Sequence, residues 1–315
     1  MIASTTVHNL MDQIRDVVNE SHVYYELSQN NDLFSQLVSA LDTIADTEEA
    51  IAAFSTDEVS ESTGALYLAI YGLLQAFFIQ QDAATNLCHA LGIQDNSANY
   101  PVLQAIREIR NDSVGHPTKR DRVKGQPNSY HQIVRQSMSK QGFQLLSYSN
   151  NTQKVSDISI PTRVTDQKTF ICDMLTHILE ELGAKHESHK EKFRMNKLVD
   201  IFPKTLGYAL EKVEQGLYDE QSTQEQWGIE HLKTIVRSFF DAVSLRDKGL
   251  AESLKNDYKY IDHAVTRMEQ IITAHKQQMS APTDELDRHI YLSFLRQQIE
   301  ELRSCAMEID IKYNT

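Results

Sequence analysis

The segment Arg110-Asn111-Asp112-Ser113-Val114-Gly115-His116 holds residue types suited to acid–base chemistry on a phosphate ester. A neutral histidine takes up a proton near neutral pH. An arginine presents a planar fork of N–H donors that fits a phosphate and stabilises negative charge added to it. The pair suits cleavage of RNA: His116 accepts the proton of a ribose 2′-hydroxyl, the freed oxygen attacks the neighbouring phosphorus, and Arg110 holds the phosphate. Asn111 is a candidate hydrogen-bonding group for the phosphate or an orienting group for His116. Asp112 is a candidate to fix an imidazole tautomer, or is simply solvated. Lys119, Arg120, Arg122 and Lys124 follow, four cations in six residues, and read as a local phosphate-binding rim.

Spacing decides whether the pair can meet. On an uninterrupted helix six residues turn the chain about 600°, which leaves the two side chains about 120° apart. Gly115 and Pro117 flank the histidine. Glycine readily takes the left-handed conformation after a last helical turn, and a residue before proline avoids the helical region. The expectation is a helix that stops here, with His116 folding back towards Arg110.

Arg110, Asn111 and His116, with five residues between the arginine and the histidine, resemble the active-site signature of the HEPN superfamily. In that family an arginine, a polar residue (often asparagine) and a histidine four to six residues on lie in a helical setting. The likeness covers roughly residues 1–195. It implies a four- or five-helix bundle that homodimerises, so that two copies of the motif face each other across a cleft. It also implies metal-independent endoribonuclease activity, with RNA (tRNA among the candidates) as substrate, no cofactor, and toxin–antitoxin or phage-defence settings. Some two-component toxins of the family carry a tyrosine two residues after the histidine; here Thr118 stands there, so antitoxin control by modification of that position is not implied. Arg15 and His22 form a second match within an amphipathic stretch, and read as accidental.

The elements that must position the motif are mainly helical. Glycine (11) and proline (6) are scarce, which favours long helices over the many tight turns of an all-β chain. Val7, Leu10, Met11, Ile14, Val17 and Val18 predict a helix over 6–28. Asp32 is a plausible N-cap for the next, carrying Leu33 to Ile44 and extending towards Phe54. Ser60 to Leu91 is the most apolar helix and the central one, ended by Gly92. Pro101 starts the helix that runs into the motif. Between 125 and 162 the texture changes to short strands at His131–Arg135, Phe143–Tyr148 and Val155–Ile160, a small antiparallel insertion. A helix follows from about Thr165, then four more at 197–216, 223–246, 251–279 and 284–309. The fold class is thus mainly α: a HEPN-like bundle over 1–195 with a β insertion, then a C-terminal helical domain over 196–315.

The formal net charge of −13 opposes non-specific binding of the whole surface to nucleic acid or an anionic membrane, so any RNA contact needs a local positive patch. No run of about 18 apolar residues is present, so no membrane span is expected. Three scattered cysteines, Cys88, Cys172 and Cys305, without a CxxC pair, point to a reducing cytoplasm rather than a disulfide framework. His186 and His189 stand at i, i+3, but no further donor completes a metal pattern, and they read as a solvated helix end. The stripe Trp227, Ile229, Leu232, Ile235, Val236, Phe239, Phe240 and Val243 reads as core. No Walker A, GxGxxG, HExxH or GxSxG pattern occurs. Two functions remain. One is a homodimeric ribonuclease whose C-terminal domain docks a protein regulator or antitoxin. The other is a non-catalytic helical dimerisation or regulatory module.

Overall fold

The computed structural model describes residues 6–56, 62–120, 128–219, 222–277 and 285–314. The chain forms two compact units, residues 1–19 with 26–183, and residues 20–25 with 184–315. The boundary falls inside a helix rather than at its end near residue 195.

In the first unit the helices are α1 (Val7–Val18), α3 (Asn31–Ser55), α4 (Thr63–Ala90), α5 (Pro101–Arg110) and the first part of α6 (Ile160–Arg194). The single helix expected over 6–28 is two: α1 stops at Asn19, and α2 (Ser21–Ser28) begins afresh. The N-cap of α3 is Asn30, whose side chain accepts from the Leu33 N–H at 3.1 Å, so Asp32 lies in the first turn. Gly92 ends α4 with φ +59°, as its position suggested, and the Ile93 N–H reaches back to the Cys88 carbonyl. Pro101 opens α5.

By length and composition α4 could span a bilayer. In this fold it is the core helix. Its C-terminal half packs with α1, α3 and α6 around Leu87, Cys88, Phe170 and Met174. Its N-terminal half packs with the end of α3 and the sheet around Ile70, Phe77, Phe143 and Leu145. A polar layer lies between the two clusters: buried Gln167 donates to Gln80, and buried Gln81 donates to Gln167. Satisfied amides inside a bundle fix the register of the helices that carry them.

The insertion is a three-stranded antiparallel sheet, β1 (Ser129–Ile133), β2 (Gly142–Ser149) and β3 (Thr152–Ser159), in the order β1-β2-β3. Asn150 and Asn151 both have positive φ in the two-residue turn between β2 and β3, the conformation that tight hairpins require. The sheet contributes Ile133, Phe143 and Leu145 to the α4 core and so is part of the unit.

The second unit packs α7 (Leu206–Tyr218), α8 (Glu225–Arg246), α9 (Lys248–Ser253), α10 (Lys255–Lys276) and α11 (Glu285–Asn314) around one core. Buried Asp310 accepts from Arg246 and from the N–H groups of Leu198 and Val199 at 2.9 to 3.0 Å. The stripe on α8 is core with one correction: Trp227 is 43% exposed and stacks on His231. His186 and His189 are half-buried, not solvated, and stack with His22 at centroid distances of 5.0 and 4.2 Å. Nδ1 of His186 lies 3.3 Å from Nε2 of His22, and no three His, Cys, Asp or Glu side chains among the described residues are grouped to hold a metal ion.

Burial, then the neighbouring His189 and His186, push the pKa of His22 down to about 4. In the unfolded chain it titrates near 6.5. Between those values the unfolded chain binds a proton that the folded unit resists. The stability of the second unit is therefore whole above pH 6.5 and falls as the pH drops towards 4. After discounting for partial exposure the loss is on the order of 1–2 kcal/mol. Urea unfolding at pH 7.5 and 4.5 checks this: His22→Gln should flatten the difference, and an unchanged difference would remove His22 as its source.

Candidate active site

The helix that carries Arg110 does not stop where the sequence suggests. It continues from Asn111 to Gly115 as a π-helical turn, closed by the His116 N–H donating to the Asn111 carbonyl at 2.8 Å. Such turns are rare and cluster at functional sites. Gly115 does not adopt a left-handed conformation; its lack of a side chain leaves room for the Arg110 guanidinium as placed. A Cβ there would lie 2.8 Å from Nη1 of Arg110 and 3.3 Å from Oδ1 of Asn111. The backbone of Gly115 thus passes against the guanidinium, and His116 follows directly, exposed to solvent. The chain leaves α5 by this widened turn instead of at a helix end.

The Arg110 guanidinium is held by neutral groups. Nε and Nη2 donate to Oε1 of Gln75 at 3.1 and 2.8 Å, and Nη1 donates to Oδ1 of Asn111 at 2.9 Å. Its Cζ lies 4.4 Å from the ring centre of Phe78, a cation–π contact. Three of five N–H donors are used, which leaves two for a ligand. Nearby arginines differ. Arg107 pairs with Asp82, and Arg120 with Asp112 and Glu108. Arg110 has no carboxylate partner among the described residues, so its charge is fixed in place and uncompensated. Asn111 orients this arginine rather than the histidine.

Asp112 and Arg120 take different places from those the sequence suggested. Asp112 is buried, pairs with Arg120, and lies 3.3 Å from Nε2 of His131. It does sit against an imidazole, but that of His131 on β1 rather than His116. The ring of His131 also bonds Ser147 and Ser129, both at 2.9 Å. The Arg120 side chain is only 12% exposed and bridges Asp112 to Glu108 at 2.8 Å. An arginine neutralised by two carboxylates is no phosphate contact, so Arg120 is a structural cation that ties the chain after the π turn back onto α5. Lys119 is exposed beside it. Arg122 and Lys124 lie outside the described residues.

Sequence reasoning missed Gln75, Phe78 and His131, which come from α4 and β1. Gly115→Ala tests the packing of the turn. The new methyl group should displace the guanidinium and lower stability by about 1 kcal/mol. A thermal melt checks it; an unchanged melt would mean that the turn accommodates the methyl group.

No family model, curated protein or solved structure matches the chain.

Proposed function

We propose that the chain is a metal-independent endoribonuclease of HEPN type that acts as a homodimer. The observation that carries this reading is an Arg110 fixed by amides and an aromatic ring, with no carboxylate partner among the described residues, and an exposed histidine at the far end of the π turn that follows it. Such a cation is ready for a phosphate, and an exposed imidazole is ready for proton transfer. In the step, His116 accepts the 2′-hydroxyl proton, the 2′-oxygen–phosphorus bond forms, and the bond to the 5′-oxygen breaks. The departing oxygen then needs a proton.

The need for that proton argues for two copies. His131 is engaged in its own network, so among the described histidines of the motif region His116 is the exposed one. A second copy would supply the other histidine. The exposed face of α4 is suited to bring the copies together. On one side of Gln75 it carries Leu68, which is 77% exposed, Gly72 and Ile79; on the other, Tyr67, Tyr71 and Phe78. Pairing through Leu68 and Ile79 would set two Gln75–Arg110 assemblies near one phosphate. RNA, with tRNA among the candidates, is the proposed substrate. The second unit is the proposed docking site of a protein regulator or antitoxin, in toxin–antitoxin or phage-defence RNA cleavage in the cytoplasm.

Incubation of total RNA with the purified protein in excess EDTA tests the reading, with the mass in solution measured in parallel. Cleavage that leaves 2′,3′-cyclic phosphate ends, by a species of two chains, supports it. The absence of cleavage by a dimeric protein favours the non-catalytic dimerisation module instead.

A further inference from the structure

A cleft of about 450 Å³ opens between α4, the π turn and the inserted sheet. That volume lies within the range of small-molecule sites, roughly 300–1,000 Å³. Tyr67 and Tyr71 line it from α4, Ser113 and Pro117 from the motif segment, and Gln132 and Arg135 from β1 and the turn beyond it. The cleft adjoins the motif. Ser113 and Pro117 bracket His116 in the chain, and Tyr71 lies one helical turn before Gln75, which holds Arg110.

Several independent features indicate a ligand. Ser113 is 3% exposed, yet its hydroxyl has no hydrogen-bond partner among the described residues. Buried hydroxyls are nearly always satisfied, so this one is a standing demand for a polar partner. Tyr67 and Tyr71 stand edge to face at 5.7 Å, and Tyr71 keeps 37% of its surface exposed. Arg135 is exposed and has no carboxylate partner among the described residues. Gln132 offers an amide, both donor and acceptor. An aromatic wall, an amide and an unpaired cation are the groups that single-stranded nucleic acid selects: rings for stacking, an amide for a base edge, a cation for the phosphate.

We propose that this cleft receives one unstacked base of single-stranded RNA, next to the phosphate held by Arg110. Its place beside the scissile phosphate rests on the ribonuclease reading; its capacity to bind a nucleotide does not. Duplex RNA keeps its bases stacked inside and is excluded from the cleft. The inserted sheet thereby selects which phosphates reach the motif.

The test uses the full chain carrying His116→Ala, so that binding is read without cleavage. Short labelled single strands and a duplex of equal length are titrated by fluorescence anisotropy, with Tyr71→Ala and Arg135→Glu added separately. Both positions are exposed, so neither change empties the core. Each should weaken single-strand binding about tenfold, and leave the weaker duplex binding as it was. In the chain with His116 intact, Tyr71→Ala should also spread cleavage over more sites. Single-strand affinity unmoved by both changes would overturn the proposal. The two readings fail separately. Tyr71-dependent binding by a chain that never cleaves keeps the cleft and removes the ribonuclease. Cleavage with unaltered sites and KM after Tyr71→Ala removes the cleft and keeps the ribonuclease.

Discussion

His116→Ala is expected to slow RNA cleavage by about 10²- to 10⁴-fold, the usual worth of a general base, and to leave stability within about 0.5 kcal/mol. The second expectation follows from the exposure of His116, whose side chain bonds no described residue. A side chain that packs against little has little stability to lose. Arg110→Ala should cost about 10²- to 10³-fold in kcat, as the loss of a charge-stabilising donor does, and weaken RNA binding as well. Arg110→Lys should recover little, because an ammonium cannot span Gln75 and Asn111 while presenting two further N–H groups to a phosphate. Cleavage rates and urea melts of the three variants decide the matter. If His116→Ala unfolds the protein, the residue is structural. If it folds and cleaves at the normal rate, the histidine is a bystander and the enzyme reading loses its base.

A dimerisation module makes the opposite set of expectations. Under it, His116 and Arg110 are replaceable without effect on self-association, whereas Leu68 and Ile79 are not. The placement of Arg110 weighs against that module. Holding a guanidinium with two amide oxygens and an aromatic face costs side-chain entropy. Where fold stability alone is served, an arginine finds a carboxylate, as Arg107 and Arg120 do on the same surface.

Most of the long helices were legible because they carry an apolar stripe at helical period and some end on residues with known capping chemistry, such as Gly92 and Pro101, whereas the break between α1 and α2 was not. The hairpin was legible from the strand segments Phe143–Tyr148 and Val155–Ile160, and Asn150 and Asn151 make its turn. The motif was legible as a string, but its geometry was not. Whether a chain leaves a helix through a left-handed glycine or through a π turn depends on what lies behind it, and what lies behind Gly115 is the Arg110 side chain pulled in by Gln75. Gln75 is 35 residues upstream on a helix that reads as apolar. The run from Lys119 to Lys124 read as one phosphate-binding rim, because a sequence shows charges and not their partners. A signal was present: Glu108 and Asp112 stand at i, i+4 and share one helical face, which a returning arginine can bridge. Arg15 and His22 show the converse: the spacing matches, but the two residues fall in different units, and His22 belongs to the histidine stack of the second.

Arg120→Met is expected to destabilise the first unit by about 3–5 kcal/mol, the cost of removing one partner from a buried ion pair. Asp112 and Glu108 are both tucked under this guanidinium, with side chains 10% and 31% exposed. Methionine keeps the length of the stem but removes the Arg120 charge from both carboxylates. Asp112 retains the contact with His131, which is why the loss should fall short of the full cost of an isolated buried charge. The same variant should lose RNA cleavage only in proportion to the fraction unfolded, and regain it when the temperature is lowered. A phosphate-binding Arg120 makes the reverse expectation: unchanged melting, weaker RNA affinity, and a shallower dependence of affinity on salt. Lys119→Glu is the matched control, because Lys119 is exposed in the adjacent position. Its charge reversal should lower RNA affinity with little change in the melt. If Arg120→Met melts like the wild type, the buried network is not what fixes the turn, and the position of His116 must depend on the π hydrogen bond and Gly115 alone.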